Sequence, residues 1–252
     1  ADFESGDDGF TYVADPDVAS TNNLWHRSSI KSVSPSHSMY YGLEGSTNYN
    51  TGARNAGNLQ SPTISLAGVP PPVVLSFSYA LQSEGGGVTW DPATVQISAN
   101  GGSSWTTLIT TSNAASAALL TPAVNFAKRV VDISAYAGSN IMVRFNFDTL
   151  DADANSYQGW FVDEVVIAAG KVAYVRSTNS IPWGHADNEW AMTRVFGTNW
   201  QDLRYETVDP VSLFGGNTRF IFMDGSDENA LEMGAFLTNN MVAMSNWVAA
   251  GG

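Results

Sequence analysis

Apolar residues alternate along the first part of the chain. Leu75, Phe77, Tyr79 and Leu81 fall on every second position, as do Val143, Phe145 and Phe147. A period of two buries one face of a strand, so both segments read as half-buried β-strands. Val95–Ile97 and Trp105–Ile109 flank Asn100-Gly101-Gly102, and Asn-Gly accepts the positive φ that a tight hairpin turn requires. Val69-Pro70-Pro71-Pro72 cannot donate to a ladder and must be a connection. Many strands with no convincing helix as far as residue 169 predict a sandwich or jelly roll.

The texture changes after Gly170. Lys171–Val175, Leu203–Val208 and Arg219–Met223 read as strands, with a helix over Asp187–Phe196. A second helical stretch is expected from Ser226, whose hydroxyl suits an N-cap and is followed by Asp227 and Glu228 in the first turn. A further helical turn runs from Met241 to Ala250 and stops at Gly251-Gly252. Strands alternating with helices predict a parallel sheet. The expectation is therefore a β-sandwich over residues 1–169 and a partial, flavodoxin-like α/β segment over 170–252. The Gly-Gly ending looks like a helix stop leading into a further strand, which makes the second segment look truncated. An unfinished sheet leaves an edge and an apolar face, so a homodimer through the α/β segment is an expected association.

Composition narrows the partners. The net charge is −13, from 24 acidic and 11 basic residues, which disfavours phosphate backbones and anionic membrane surfaces. Divalent cations, neutral sugars or basic proteins fit better, although acidity also serves simply to keep a secreted protein dissolved. The chain has no cysteine, which excludes disulfides, thiolate zinc sites and cysteine nucleophiles. No apolar run reaches the roughly 18 residues that would cross a membrane as a helix.

Candidate chemistry is sparse. Asp163 interrupts Trp160–Ile167, a run apolar on both parities, so its carboxylate must be compensated. Glu84 and Asp91 flank Gly85-Gly86-Gly87, while Asp148, Asp151 and Asp153 precede the last strand of the sandwich. Both groups read either as ligands of one or two ions or as solvated loop residues. Asp151-x-Asp153-x-Asn155 lacks the central Gly and distant Glu of an EF-hand loop. His185-x-Asp187-x-Glu189 offers metal-type side chains but no converging ligand. Asp224-Gly225-Ser226-Asp227 lies where α/β folds place ligands, yet it is not a nucleophile elbow, and helix capping is the better reading of Ser226. No catalytic residue stands out. Trp25, Trp90, Tyr40 and Tyr41 lie in loop-like sequence and would form a carbohydrate platform if exposed; Trp105 and Trp160 are read as core.

Five sequence blocks occur in order: Asp2-Phe3-Glu4-Ser5-Gly6 with Gly9-Phe10, Gly57–Pro62, Val74–Tyr79, Val95–Ser98 with its Gly-Gly-x-x-Trp sequel, and Gly159–Val165. Together they resemble the bacterial secreted jelly-roll modules variously called MAM-like, cleaved-adhesin or choice-of-anchor J domains, across most of residues 1–169. The resemblance implies a galactose-binding-like jelly roll attached to secreted peptidases, glycosidases or adhesins. It also implies a structural calcium ion where the first and last strands lie side by side, carried by Glu4 and Asp163 with Asp2 nearby. Asp-Glu stands here where the family often has Asp-Asp, so only the first carboxylate of that pair carries over. Nothing after Gly170 is covered; that segment only weakly resembles amidotransferase-like α/β domains. The function expected is a non-catalytic, calcium-stabilised extracellular or cell-surface module binding a glycan or an extracellular protein. The alternative is part of a secreted hydrolase whose active site lies in the incomplete α/β segment.

Overall fold

The computed structural model describes residues 1–16, 18, 23–69, 71–113, 118–179, 181–215 and 217–250. The chain forms two compact units. One comprises Ala1–Ala67, Ser76–Val131 and Gly138–Val166; the other comprises Gly68–Leu75, Asp132–Ala137 and Ile167–Gly252.

In chain order the strands of the first part are β1 (Thr11–Ala14), β2 (Trp25–Ser28), β3 (Ser38–Tyr41), β4 (Ala56–Gln60), β5 (Ile64–Ser65) and β6 (Val73–Gln82). They continue with β7 (Ala93–Ser98), β8 (Thr106–Thr110), β9 (Ala118–Leu119), β10 (Ala123–Asp132), β11 (Asn140–Asp148) and β12 (Gly159–Ala169). One sheet runs β1-β4-β11-β7-β8-β9, with β5 also paired to β11; the other runs β10-β6-β12-β3-β2. The neighbours β1/β4, β4/β11, β11/β7, β7/β8, β12/β3 and β3/β2 are antiparallel. Non-consecutive neighbours, such as β4 beside β11, β11 beside β7 and β12 beside β3, give the interleaved order of a jelly-roll sandwich.

The alternation read from sequence builds its core. Ile141, Val143, Phe145 and Phe147 of β11 are buried, while Met142, Arg144, Asn146 and Asp148 between them are only partly so. Phe145 meets Phe77 of β6 at 5.2 Å and Trp160 of β12 at 5.6 Å between ring centroids, and Phe147 meets Tyr41 of β3 at 4.7 Å. These edge and tilted contacts join the two inner faces. The five-stranded sheet is also covered on its other face: Tyr40 stacks on Phe161 at 4.2 Å, with Ala80, Ile30 and Phe126 around them. That second cover explains why β12 is apolar on both parities.

Gly159 has a structural duty at the start of β12. Its φ is +88°, and a Cβ there would lie 2.1 Å from the carbonyl oxygen of Tyr41. The glycine lets β12 begin against β3 with Trp160 opposite Tyr41. Gly159→Ala should therefore cost about 3 kcal/mol or more in urea unfolding, since both strain and backbone overlap must be relieved. A change under about 0.5 kcal/mol would refute this account.

The second unit contains β13 (Lys171–Arg176), α1 (Asp187–Phe196), β14 (Gln201–Arg204), α2 (Pro210–Phe214), β15 (Thr218–Met223) and α3 (Ala230–Ala249). The sheet order is β14-β13-β15, parallel throughout, the order of a partial flavodoxin-like sheet. Val172, Tyr174 and Met192 pack with Phe196, Trp200 and Phe222 on one face. Ala173, Val175, Leu213, Phe214 and Phe236 pack on the other with Met244 and Trp247. Both faces are thus covered, by α1 on one side and by α2 and α3 on the other.

Three boundaries differ from the sequence reading. β14 ends at Arg204 because the chain turns at Tyr205, whose hydroxyl donates to the Asp224 carbonyl at 2.9 Å. α2 was not anticipated; Asp209 caps it, accepting from the Val211 and Ser212 amides, with Pro210 in its first turn. α3 is one continuous helix that begins at Ala230 rather than Ser226. Ser226 instead has its N–H held by Asp224 and its hydroxyl by the Asn229 amide, so the capping reading of Ser226 is corrected. The Gly251-Gly252 stop lies outside the described residues.

Candidate functional site

The first candidate site lies where the N-terminal segment meets β12. Ala1 and Val165 exchange two backbone hydrogen bonds of 2.8 Å, which sets the first residues beside the last strand of the sandwich. Two devices turn the carboxylates inward. Glu164 adopts φ +49°, an irregularity inside β12 at the residue after Asp163. Phe3 adopts φ +57°, with its N–H and that of Asp2 both donating to Asp8 Oδ2. Arg27 holds the same segment from the other side, donating to the Phe3 and Glu4 carbonyls.

Asp163 is fully buried. Its carboxylate accepts from the backbone N–H groups of Val33, Ser34 and Glu164 at 2.7–3.0 Å. Glu4 accepts from the Ser36 and His37 N–H groups and the Ser36 hydroxyl. The Ser36 hydroxyl contributes most to holding the Glu4 carboxyl down to about 2, against the opposing push of burial. The backbone N–H groups of His37 and Ser36 and the Ser34 hydroxyl add to it. A depressed carboxyl supports the fold above its unfolded value of 4.5, and the support disappears as pH falls toward 2.

Ser34 Oγ is the centre of this arrangement. It lies 2.9 Å from the Asp2 carbonyl, 2.9 Å from Glu4 Oε1, 3.0 Å from the His37 carbonyl, and 3.1 and 3.0 Å from the two Asp163 oxygens. A hydroxyl has one proton to donate. It satisfies one of these five acceptors and leaves the others as close oxygen–oxygen contacts. Hard oxygens from two carboxylates, two carbonyls and a hydroxyl, converging in this way, could hold a hard divalent cation. Asp2 enters through its backbone carbonyl; its carboxylate is occupied by the Glu4 N–H. Among the described residues no three His, Asp or Glu side chains form a metal-binding group, so any such site depends on carbonyl and hydroxyl oxygens.

The second group lies at the loops of residues 83–92 and 148–155. Asp91 is fully buried, and Tyr49 donates to its Oδ2 at 2.5 Å. The Glu84 N–H reaches Tyr49 Oη at 3.2 Å. Burial pushes the Asp91 carboxyl up to about 6 despite the Tyr49 hydrogen bond. Asp91 Oδ1, Ser83 Oγ and Asn155 Oδ1 are buried without a hydrogen-bond partner. Asp148 does not join them. Arg54 grips it with bonds of 2.9 and 2.6 Å, and the pair satisfies both charges, so the reading of Asp148 as a metal ligand is corrected.

The aromatic platform is largely overturned. Trp25, Tyr40 and Tyr41 are buried on β2 and β3, where the covered outer face leaves neither parity free. Only Trp90, 46% exposed, remains available. Trp105 is half-buried beneath the Arg144 guanidinium at 4.3 Å rather than in the core. Sequence reasoning also missed Tyr157, exposed on the loop before β12. Its flanking Asn, Ser, Gln and Gly marked a loop, but nothing in them marked the tyrosine's exposure.

In the second unit, the carboxyl ends of the strands are internally bonded. Asp224 accepts from the Tyr174 hydroxyl and the Ser226 N–H, and Glu206 accepts from the Ser177 hydroxyl and the Thr178 N–H. Asn229 joins Ser177 to Ser226. His185 is exposed, and Glu189 lies 3.6 Å from Arg176, an ion pair rather than a metal ligand.

No family model matches the chain, and no curated protein matches it. Among solved structures it is similar to the K1 cleaved adhesin domain of Lys-gingipain from Porphyromonas gingivalis W83, at 17% identity and a TM-score of 0.41, covering 64% of this chain and 91% of that one. It is similar to a non-crystalline-cellulose-specific carbohydrate-binding module of family 28, at 10% identity and a TM-score of 0.38, with 67% and 92% covered. A variant of a family 29 carbohydrate-binding module is similar at 9% identity and a TM-score of 0.30, with 64% and 91% covered. The fold assignment above rests on the strand order and core of this chain. No helix among the described residues is long and apolar enough to cross a membrane.

Proposed function

We propose that this chain is a non-catalytic extracellular interaction module that binds a neutral glycan at one end of its jelly roll. The observation that carries this reading is that Val88, Trp90, Leu150 and Tyr157 are all more than a third exposed on the loops before β7 and before β12, which the Asp148 N–H to the Pro92 carbonyl ties together at their bases. Exposed apolar side chains gathered on loops over a rigid scaffold mark a contact surface. Trp and Tyr faces stack on sugar rings, and the net charge of −13 suits a neutral ligand better than a polyanion. An extracellular protein is the second partner this surface fits.

The same proposal includes calcium at Glu4, Asp163 and the carbonyls of Asp2 and His37. What supports it is the five-acceptor environment of Ser34 Oγ, which a single proton cannot satisfy. The ion would tie the N-terminal segment to β12 and neutralise two carboxylates that, among the described residues, no lysine or arginine pairs, the His37 ring lying 3.7 Å from Glu4. Membership of the MAM-like or choice-of-anchor group remains part of this proposal and rests on the sequence blocks. The reading of the second unit as part of a hydrolase is less favoured, because its polar groups at the strand ends are engaged with one another.

A glycan array probed with the parent chain, Trp90→Ala and Tyr157→Ala tests the binding surface. The parent should bind a neutral oligosaccharide, and Trp90→Ala should weaken that binding about tenfold or more without lowering the melting temperature. A parent that binds no arrayed glycan, or variants that bind as well as the parent, would reject it.

A further inference from the structure

We infer that the jelly roll holds a second hard cation, of the calcium class, at Asp91 Oδ1 and Asn155 Oδ1, separate from the Ser34 centre. Asp91 and Asn155 are 0% and 1% exposed, and each presents a buried oxygen without a hydrogen-bond partner. Ser83 Oγ is a third such oxygen, in the same loop as Asp91.

Hydrogen bonds bring these loops together. The Asp148 N–H donates to the Pro92 carbonyl at 3.4 Å, joining the end of β11 to the residue after Asp91. Tyr49 donates through its hydroxyl to Asp91, while its carbonyl accepts from Asn55. The Asn55 N–H reaches Thr149 Oγ1, which donates to the Asp151 carbonyl; Asn155 Nδ2 donates to that same carbonyl. Asn155 therefore uses its amide hydrogens on the loop and keeps its oxygen free. The Asp151 charge is felt at Asp91, so the two carboxyl groups lie within electrostatic reach of each other.

Protonation does not resolve the arrangement. A neutral Asp91 would gain a single O–H donor, which satisfies at most one further oxygen of the group formed by Asp91 Oδ1, Asn155 Oδ1 and Ser83 Oγ. No Lys, Arg or His lies within 4.0 Å of the Asp91 carboxylate among the described residues. A cation answers all of these oxygens at once, and calcium accepts carboxylate, amide and hydroxyl oxygens in irregular geometry where magnesium demands a near-ideal octahedron. The ion would fix the two loops that carry Trp90 and Tyr157, but the inference stands on the orphaned oxygens and not on glycan binding.

Equilibrium dialysis of the full, chelator-stripped chain against calcium tests it. The parent should bind two equivalents, Asp163→Asn one and Asp91→Asn one. Asn155→Ala, which leaves the carboxylate in place, should weaken one equivalent about tenfold or more. Loss of an equivalent in Asp91→Asn with none lost in Asp163→Asn would support this site and reject the Ser34 centre. A single equivalent in the parent, lost in Asp163→Asn and kept in Asp91→Asn, would overturn the inference and leave the Ser34 centre standing. If Asp91→Asn fails to fold, anomalous diffraction from calcium-grown crystals of the parent decides the matter. An anomalous peak beside Asp91 supports the ion; water density without one overturns it.

Discussion

EDTA should lower the melting temperature of this chain by about 10 °C, and excess calcium should restore it. The size follows from linkage: a ligand bound only by the native state at about a thousand times its Kd adds about 4 kcal/mol. Each kcal/mol moves Tm by roughly 2–4 °C in a chain of 150–250 residues. The effect should be this large because the proposed ion does more than fill a gap. Without it, Glu4 and Asp163 face each other across Ser34 with only N–H and O–H donors to hold them, and Asp163 is wholly buried. Asp163→Asn should lose the share of this shift that comes from the Ser34 centre and keep only the smaller EDTA response of the ion at Asp91. Ser34→Ala should keep much of the calcium response, because it removes one neutral oxygen and leaves both carboxylates and both carbonyls. An unchanged Tm on adding EDTA to the parent would refute the calcium reading of both oxygen clusters.

Much of the sandwich was legible because its strands obey simple geometry. β11 alternates strictly, and the β7–β8 hairpin closes through Gly101 and Gly102 at φ +69° and +86°. Asp163 was legible for a related reason: a carboxylate inside a doubly apolar run has few tolerable surroundings. Its partners were not. Ser34, Ser36 and His37 lie in an ordinary Ser-rich loop, and they contribute mainly backbone N–H, carbonyl and hydroxyl groups, which leave no compositional mark. The misreading of Trp25, Tyr40 and Tyr41 has a tertiary cause. Short strands rich in aromatics look like loops when both parities are buried, and the cover over Tyr40 comes from Phe161, Ala80, Ile30 and Phe126, all distant from it or off its strand. Asp148 failed similarly, since Arg54 is far away in sequence. In the second unit, helix period and parallel-sheet order were readable, whereas Ser226 was misread because a hydroxyl before acidic residues signals a cap only if the helix starts there.

Replacing Asp224 by alanine should destabilise the α/β unit by about 2–4 kcal/mol. The carboxylate is 3% exposed and has two donors: the Tyr174 hydroxyl at 3.1 Å and the Ser226 N–H at 2.8 Å. Removing it strands both in a buried setting, and each unsatisfied donor costs about 1–3 kcal/mol. Tyr174 cannot escape by ionising, because burial pushes its phenol up to about 12, and Asn188 already occupies the oxygen as a donor. Tyr174 also lies at the centre of the packing against α1, with Phe222 stacked at 5.1 Å, so displacement of its ring would spread to that face. Asp227→Ala, in the turn that precedes α3, should change stability by less than about 0.5 kcal/mol. Ser226→Ala should fall between the two, since it removes only the acceptor of the Asn229 amide at 2.8 Å. Urea unfolding of the three variants reads this order directly. A hydrolase site at Asp224 and Ser226 predicts a different outcome, in which the polar groups are held for substrate and both variants fold as stably as the parent or better. Unaltered stability in Asp224→Ala would therefore reject the structural role assigned to this carboxylate and return the strand ends of the α/β unit to consideration as a reactive site.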